Sequence, residues 1–212
     1  DAGAPLPARI AGVGNRKGTA GVLLGCVQRH LFPQVNALTA RLLSLAGYEV
    51  RIPADQGCCG ALHFHAGRLD EARKMARRLL VSFGSDVDLI VANAAGCGSA
   101  MREYPRWFPA DAQMEAFSRK VRDVSELLVE ADLPLRPLTG VATYHDPCHL
   151  AHGQKVRAQP RALLGKIPGL SLVELTDSDL CCGSAGVYNL LEPEMAGRLL
   201  EMKVKRIAET GA

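Results

Sequence analysis

Cysteine is the residue type whose spacing in this sequence points to chemistry. Two adjacent cysteines followed by glycine occur at Cys58-Cys59-Gly60 and again at Cys181-Cys182-Gly183. A single cysteine precedes each pair, with 31 residues between Cys26 and Cys58 and 32 between Cys148 and Cys181. Cys97 follows the first pair. The pattern predicts two copies of one module that is built around thiol ligands.

The cysteines are expected to be reduced ligands rather than disulfides. The chain has seven cysteines, and an odd number cannot all pair within one chain. Adjacent cysteines also pair poorly, because a disulfide needs Cα atoms about 4.4–6.8 Å apart and neighbours across a trans peptide lie at about 3.8 Å. Thiolate ligands fit this count better.

Four thiols of the first copy are predicted to form one metal site: Cys26, Cys58, Cys59 and Cys97. Four thiolates suit either an iron–sulfur cluster or tetrahedral zinc. Two adjacent ligands on one zinc ion are awkward, because structural zinc sites space their cysteines by two to four residues. A cluster offers several iron atoms, so the donor set favours iron–sulfur, with zinc and then metal-free buried thiols as the alternatives.

The elements that position these thiols alternate between strand and helix. Short apolar runs such as Asp88 to Ala92 end beside cysteines, and amphipathic segments follow them. This order predicts an α/β fold with two pseudo-repeated lobes, each a small, mainly parallel sheet flanked by helices, with cysteine loops at the carboxyl ends of the strands. The expected division is an arm at 1–20, a first lobe at 21–107, a helical connector at 108–139 and a second lobe at 140–212.

The second copy is expected to be incomplete. The pattern of the first copy calls for a further strand and an eighth cysteine after residue 212, so the second lobe is interpreted as truncated. Its thiols would be Cys148, Cys181 and Cys182, and that site is expected to be empty or oxidised in this form. A long helix over 193–209 is predicted to turn Met195 and Met202 inward.

The histidines are secondary candidates. His63 and His65 have no histidine counterparts in the second copy, so they fall outside the repeated set. His145, His149 and His152 flank Cys148. His149 and His152 lie three residues apart, which makes them the candidates for a substitute ligand or a donor to cluster sulfur. A hydrogen-bonded or surface histidine is the alternative for each of them.

Charge and hydropathy exclude two classes of partner. The net charge of +3 is too small to indicate nucleic-acid binding. No apolar run approaches the roughly 18 residues that a transmembrane helix needs. The expected location is the cytoplasm or the periphery of the inner membrane.

The motifs resemble a known family. The segments that carry the resemblance are Gly25-Cys26-Val27-Gln28, Gly57-Cys58-Cys59-Gly60-Ala61, Ala95-Gly96-Cys97-Gly98, 147–155 and 180–188. They resemble the CCG cysteine-rich domain found in heterodisulfide reductases, and more closely the iron–sulfur subunits of bacterial glycolate oxidases (glycolate dehydrogenases). The resemblance begins near residue 20 and covers nearly the whole remaining chain.

The resemblance implies an electron-transfer subunit with no catalytic residue of its own. Such a subunit takes electrons from a flavin-containing partner that oxidises a 2-hydroxy acid, here glycolate, and passes them to a quinone or similar acceptor. All seven cysteines would bind clusters, of the 4Fe-4S type. Ala94 replaces the first cysteine of a Cys-x-x-Cys pair found in several members, so a four-cysteine site is implied.

The family's amino-terminal ferredoxin-like part is missing, so the chain would be a carboxyl-terminal portion. Two other functions stay open at this point. One is a thiol/disulfide redox enzyme like heterodisulfide reductase, and the other is a zinc- or cysteine-stabilised interaction module.

Overall fold

The computed structural model describes residues 6–184 and 186–212 and divides into two compact units. The first unit ends at Leu133, and the second runs from Pro134 to Ala212. Within the described ranges, none of the helices has the length and apolar character that crossing a membrane requires. The expected α/β fold with two mainly parallel sheets is confirmed.

The first unit is an α/β layer around a five-stranded sheet. Its strands are β1 (Arg9–Ile10), β2 (Gly18–Val22), β3 (Tyr48–Arg51), β4 (Leu89–Ala92) and β5 (Val121–Asp123). Its helices are α1 (Gln28–Leu31), α2 (Pro33–Leu45), α3 (Ala61–His65), α4 (Leu69–Phe83), α5 (Ala95–Arg102), α6 (Tyr104–Trp107), α7 (Ala112–Lys120) and α8 (Val124–Leu128).

The strand order is β1-β3-β2-β4-β5, with β2 at the centre. The pairs β2–β3, β2–β4 and β4–β5 are parallel, and only β1 runs antiparallel to its neighbour β3. Ala20 of β2 is in register with Val50 on one side and Leu89 on the other. Parallel strands bring their carboxyl ends to one edge of a sheet, which places the loops after β2, β3 and β4 close together.

The core of the first unit contains one of the predicted ligands. Cys59 is 2% exposed and packs in the same cluster as Leu79, Met101, Tyr104 and Trp107. Cys58 and Cys97 pack against that cluster from its edge. Burial of this apolar surface is the main stabilising contribution to the unit, so the thiol loops rest on its most rigid part.

The second unit is built on a two-stranded parallel sheet. Its strands are β6 (Gly140–Thr143) and β7 (Leu170–Val173), and its helices are α9 (Ala158–Gly165), α10 (Tyr188–Leu191) and α11 (Pro193–Ala208). A π-helical turn spans His149–Gly153, directly after Cys148. The order strand, cysteine, helix, strand, Cys-Cys-Gly, helix therefore repeats that of the first unit.

Local structure differs from the expectations at several places. Residues 9–10 and 18–20, within the arm expected at 1–20, lie in β1 and β2, while residues 1–5 fall outside the described range. Within the helical connector expected at 108–139, residues 121–123 form a strand before α8, because Asp123 pairs in the sheet and its side chain then caps the helix in a capping box with Glu126. Met195 and Met202 are 48% and 54% exposed rather than inward.

Candidate metal centre

The four thiols predicted for the first site are brought together. The Sγ atoms of Cys26 and Cys58 lie 3.3 Å apart. Cys58 and Cys59, and Cys59 and Cys97, are near enough for each thiol to affect the pKa of its neighbour, and all three pack at one core cluster. Cys26 lies in the turn after β2, the pair lies in the loop between β3 and α3, and Cys97 is the third residue of α5. Two loops and the first turn of α5 thus supply four sulfur donors at one sheet edge.

Gly60 shapes the loop around Cys58. Its φ of +82° is in the left-handed region, which glycine adopts without steric cost. Its N–H donates to Cys58 Sγ over 3.4 Å. A Cβ at this position would lie 2.8 Å from the carbonyl oxygen of Ala72 in α4. Glycine is therefore required both by the backbone angle and by the close approach of α4.

The thiols hold their protons tightly in the absence of a metal. The hydrogen bond with Cys59, together with burial, raises the pKa of Cys58 far above its ordinary range. At Cys59, the hydrogen bond with Cys58 lowers the pKa, but the one with Cys97 and burial outweigh it and the net pKa is raised. Burial, followed by the contact with Cys58, raises the pKa of Cys26. Metal binding at these thiols must therefore release protons.

Gln56 fastens the Cys26 loop to the Cys-Cys-Gly loop. Its side chain is buried; its Oε1 accepts from Leu24 N at 2.8 Å, and its Nε2 donates to the carbonyls of Val22 and Pro53 at 3.1 Å. Arg29 adds a second tie by donating from Nε to the Gly25 carbonyl and from Nη2 to the Gln56 carbonyl. These bonds fix the backbone that carries two of the four thiols.

Tyr104 contacts the site from the core of the first unit. Its hydroxyl donates to the carbonyl oxygen of Cys59 over 2.8 Å, and the side chain is fully buried. Burial, then the nearby thiols of Cys59, Cys97 and Cys58, raise the pKa of Tyr104 well above its ordinary value. The phenol is therefore a neutral donor beside these thiols.

The second Cys-Cys-Gly loop has the same backbone geometry as the first. Gly183 has a φ of +81°, and its N–H donates to Cys181 Sγ over 3.4 Å. A Cβ there would lie 2.5 Å from the carbonyl oxygen of Ala196 in α11, just as a Cβ at Gly60 would meet the carbonyl oxygen of Ala72 in α4. The sequence repeat is thus a structural repeat at the level of single contacts.

The thiols of the second copy are not in contact with one another. Cys148, Cys181 and Cys182 all lie in the described part of the chain, and no sulfur–sulfur contact joins them. All seven cysteines of the chain are free thiols. The two copies therefore differ in assembly: only the first brings its sulfur donors together.

A charged clamp holds the loops of the second copy in place. The buried Asp146 carboxylate accepts two hydrogen bonds from Arg161, at 2.8 and 2.7 Å, and one from Ser178 Oγ at 2.7 Å. Its backbone N–H donates to the Ser178 carbonyl. Lys203, 3% exposed, donates to the carbonyls of Asp177 and Ser178 at 3.0 Å. This clamp ties the strand end before Cys148 to the loop before Cys181.

The histidines take different positions. His149 Nδ1 lies 3.9 Å from Cys148 Sγ, a weak contact. His152 instead faces Asp179, with its Nε2 3.5 Å from Oδ2, so it is not directed at a thiol. His145 Nδ1 lies 3.0 Å from the Ser178 carbonyl, and His63 Nδ1 is buried without a hydrogen-bond partner among the described residues.

The residues present fit an iron–sulfur cluster by their donor chemistry. Four soft sulfur donors, with a backbone N–H directed at one sulfur, are what such clusters use. Across the described ranges, no group of three or more His, Cys, Asp or Glu side chains has the arrangement needed to hold a single metal ion. A cluster offers several iron atoms, so the adjacent thiolates of Cys58 and Cys59 could each bind a different one, which a single zinc ion does not allow.

Sequence reasoning missed Gln56, Tyr104, Asp146 and Lys203. Three of them act mainly on backbone carbonyls, which leave no signature in a sequence. Lys203 had one usable signal, because it lies seven residues after Ala196 and therefore on the same face of α11.

Comparison with known proteins gives one family. The CCG cysteine-rich domain matches residues 20–102 and 142–212, well over half of the chain. A probable glycolate oxidase iron–sulfur subunit from Bacillus subtilis is 36% identical over 97% of this chain and 48% of its own length. One subunit of the fumarate reductase (CoM/CoB) of Methanothermobacter marburgensis is 35% identical over 93% of this chain and 40% of its own length.

A third relative is covered more fully. Lactate utilization protein A from an Exiguobacterium species is 31% identical over 88% of this chain and 80% of its own length. The chain spans about half or less of the two relatives above. The similarity thus covers part of those two proteins and not their whole length.

Proposed function

Because the chain belongs to the CCG cysteine-rich domain family, we propose that its first unit binds an iron–sulfur cluster and transfers single electrons. The ligands would be Cys26, Cys58, Cys59 and Cys97, and the cluster of the 4Fe-4S type. The observation that carries the proposal is the convergence of the four thiols: the sulfurs of Cys26 and Cys58 lie 3.3 Å apart, and Cys58, Cys59 and Cys97 pack at one core cluster. When bound, the cluster would supply one-electron chemistry, while the protein supplies the ligands, N–H donors and a dry surrounding.

The partners are part of the proposal, and the similarity to a probable glycolate oxidase iron–sulfur subunit supports them. The chain would accept electrons from a flavin-containing partner that oxidises a 2-hydroxy acid, and would pass them to a quinone or similar acceptor. Glycolate is the proposed substrate, with lactate as the competing 2-hydroxy acid. The thiol set of the first unit suits electron transfer, which is the role proposed for this chain.

The second copy would have the weaker site. Cys148, Cys181 and Cys182 are the proposed ligands there, and a fourth would have to come from elsewhere. We expect this site to be empty when the first is filled. The lobe boundaries at 21–107 and 140–212 and the cytoplasmic or membrane-peripheral location stay predictions.

A thiol/disulfide enzyme is the second candidate, favoured by the 3.3 Å contact between the sulfurs of Cys26 and Cys58. Their oxidation would release two protons and two electrons to a substrate disulfide, giving one protein disulfide and two substrate thiols. The raised pKa values of both thiols oppose it, because the thiolate is the attacking species. Electron transfer is therefore the function that we place first.

The test is anaerobic purification of the protein, followed by analysis of iron, acid-labile sulfide and zinc. The proposal expects iron and sulfide in near-equal amounts and little zinc. Stoichiometric zinc without sulfide would instead support the interaction module. Reduction of a small disulfide by the metal-free protein, at a rate that Cys26→Ser abolishes, would support the thiol/disulfide enzyme.

A further inference from the structure

Tyr104 has a contact with the site that its role in the core does not require. The side chain is fully buried, and its ring packs on Trp107, with centroids 4.9 Å apart, and on Phe117, with centroids 5.6 Å apart. A phenylalanine would make the same ring contacts. The hydroxyl is therefore the part of Tyr104 that calls for an explanation.

The ring packing aims that hydroxyl at one acceptor. It donates to the carbonyl oxygen of Cys59 over 2.8 Å, in a fully buried setting. The Cys59 thiol interacts with those of both Cys58 and Cys97. The hydroxyl also lies near enough to these three sulfurs to interact with them electrostatically. The hydroxyl dipole of Tyr104 is thus fixed by packing beside the proposed ligands, and its hydrogen points at the backbone carbonyl of Cys59.

We propose that Tyr104 is a positioning residue for Cys59 and that its hydroxyl raises the midpoint potential of the cluster bound there. The inference rests on the proposed function. The hydrogen bond restricts the backbone that carries the Cys59 thiol. It also neutralises part of the negative end of the Cys59 carbonyl, which would otherwise stabilise the more positive, oxidised cluster. The step concerned is uptake of one electron by the oxidised cluster, supplied by a reduced flavin or, in the test, by dithionite.

The test compares Tyr104→Phe with the wild type and with Ser118→Ala. Phenylalanine keeps the ring and removes only the donor. Ser118 is the matched control, because its buried hydroxyl donates to the carbonyl of Met101 over 2.7 Å and involves no cysteine. Each substitution therefore removes one buried hydroxyl-to-carbonyl bond, so a loss of stability alone would be similar in the two.

The first readout is a potentiometric titration of the cluster with dithionite. Tyr104→Phe is expected to lower the midpoint potential of the cluster. At a fixed solution potential, the ratio of oxidised to reduced cluster should rise by up to tenfold, which corresponds to a shift of about 59 mV for one electron. Ser118→Ala is expected to leave the potential unchanged. A folded, cluster-loaded Tyr104→Phe with the wild-type potential, or an equal shift in both variants, would overturn the electrostatic part.

The second readout uses the metal-free protein and does not depend on a cluster. The rate of alkylation of Cys59, followed by peptide mass spectrometry, should rise about fivefold in Tyr104→Phe, the factor expected from loss of one hydrogen bond. Ser118→Ala should not change it. An unchanged rate in Tyr104→Phe would overturn the positioning role. If no preparation takes up iron and sulfide while this rate rises, the proposed function fails and the positioning role stands.

Discussion

Replacing Gly60 by alanine should destabilise the first unit far more than the same change at Gly67. Both glycines have positive φ, +82° at Gly60 and +75° at Gly67. They differ in surroundings: a Cβ at Gly60 would meet the Ala72 carbonyl oxygen at 2.8 Å and the Ala72 Cα at 3.1 Å, whereas a Cβ at Gly67 has no neighbour within 4 Å among the described atoms. The pair therefore separates the cost of the backbone angle from that of the contact.

The magnitude follows from these two contributions to the free energy of unfolding. A non-glycine residue in the left-handed region costs about 1–2 kcal/mol, which applies to both variants. Forcing an atom against packed backbone costs about a further 1–3 kcal/mol, which applies only to Gly60 because the α4 backbone cannot rotate away. Gly60→Ala should thus lose about 2–5 kcal/mol, and Gly67→Ala about 1–2 kcal/mol.

Urea unfolding followed by tryptophan fluorescence is the assay. Trp107 is the only tryptophan, it is 2% exposed, and it lies in the first unit, so its emission reports on the unfolding of that unit. With a slope of about 2 kcal/mol per molar urea, the midpoint of Gly60→Ala should fall about 1 M below that of Gly67→Ala. Equal midpoints would refute the argument that α4 packs directly on Gly60.

Three further predictions concern the clamps and the thiols. Gln56→Leu leaves the Leu24 N–H and two carbonyls without partners, so it should lower the free energy of unfolding by about 3 kcal/mol or more in the same urea assay, and a loss under about 1 kcal/mol would contradict the clamp. Arg161 first, then Ser178, hold the pKa of Asp146 at about 2, below its ordinary value of 3.8, so the ionised carboxylate contributes stability that is complete above pH 3.8 and is lost as the pH falls towards 2. Asp146→Asn should therefore cost about 2 kcal/mol at neutral pH and flatten this acid dependence in circular dichroism, whereas an unchanged profile would argue against the ion pair. The raised pKa of Cys59 makes stability depend on pH in the opposite direction from Asp146. The protonated thiol stabilises the metal-free protein fully below the ordinary thiol pKa of 9.0, and this stabilisation is lost as the pH rises above it. The stability of Cys59→Ala should therefore depend less on alkaline pH than that of the wild type.

The sequence predicted the fold class and the convergence of four thiols because both depend on local patterns. Strands ending in glycine and cysteine, followed by amphipathic helices, specify parallel strands whose carboxyl ends meet at one edge. Since each of the three loops carries its own cysteine, the convergence of Cys26, Cys58, Cys59 and Cys97 follows from topology. The contact between the sulfurs of Cys26 and Cys58 is what the structure adds.

The inward face of α11 could not be predicted from hydrophobicity. Met195 and Met202 were expected inside because they are large and apolar, yet Ala196 and Lys203 are the buried residues. Gly183 needs a small side chain opposite it, which brings Ala196 inward. Lys203 follows on the same face and is stabilised there by two backbone carbonyls, which a residue pattern does not reveal.

The extra strand and the clamps were missed for related reasons. Val121 and Val124 match a helical period, but pairing with β4 is a tertiary contact that overrides that local pattern. Gln56 is polar and lies in a loop, which usually means exposure, and only the folded chain shows its three backbone partners.

The central claim is that the four thiols of the first unit hold an iron–sulfur cluster. Its most direct test is the iron and sulfide content of anaerobically reconstituted Cys59→Ser and Cys182→Ser, each altering the second cysteine of one Cys-Cys-Gly pair. Cys59→Ser should lose most of the iron, sulfide and visible absorption, because the Cys59 thiol interacts with those of both Cys58 and Cys97. Cys182→Ser should keep them. Full retention in Cys59→Ser, or equal loss in both variants, would contradict the assignment of the cluster to the first unit.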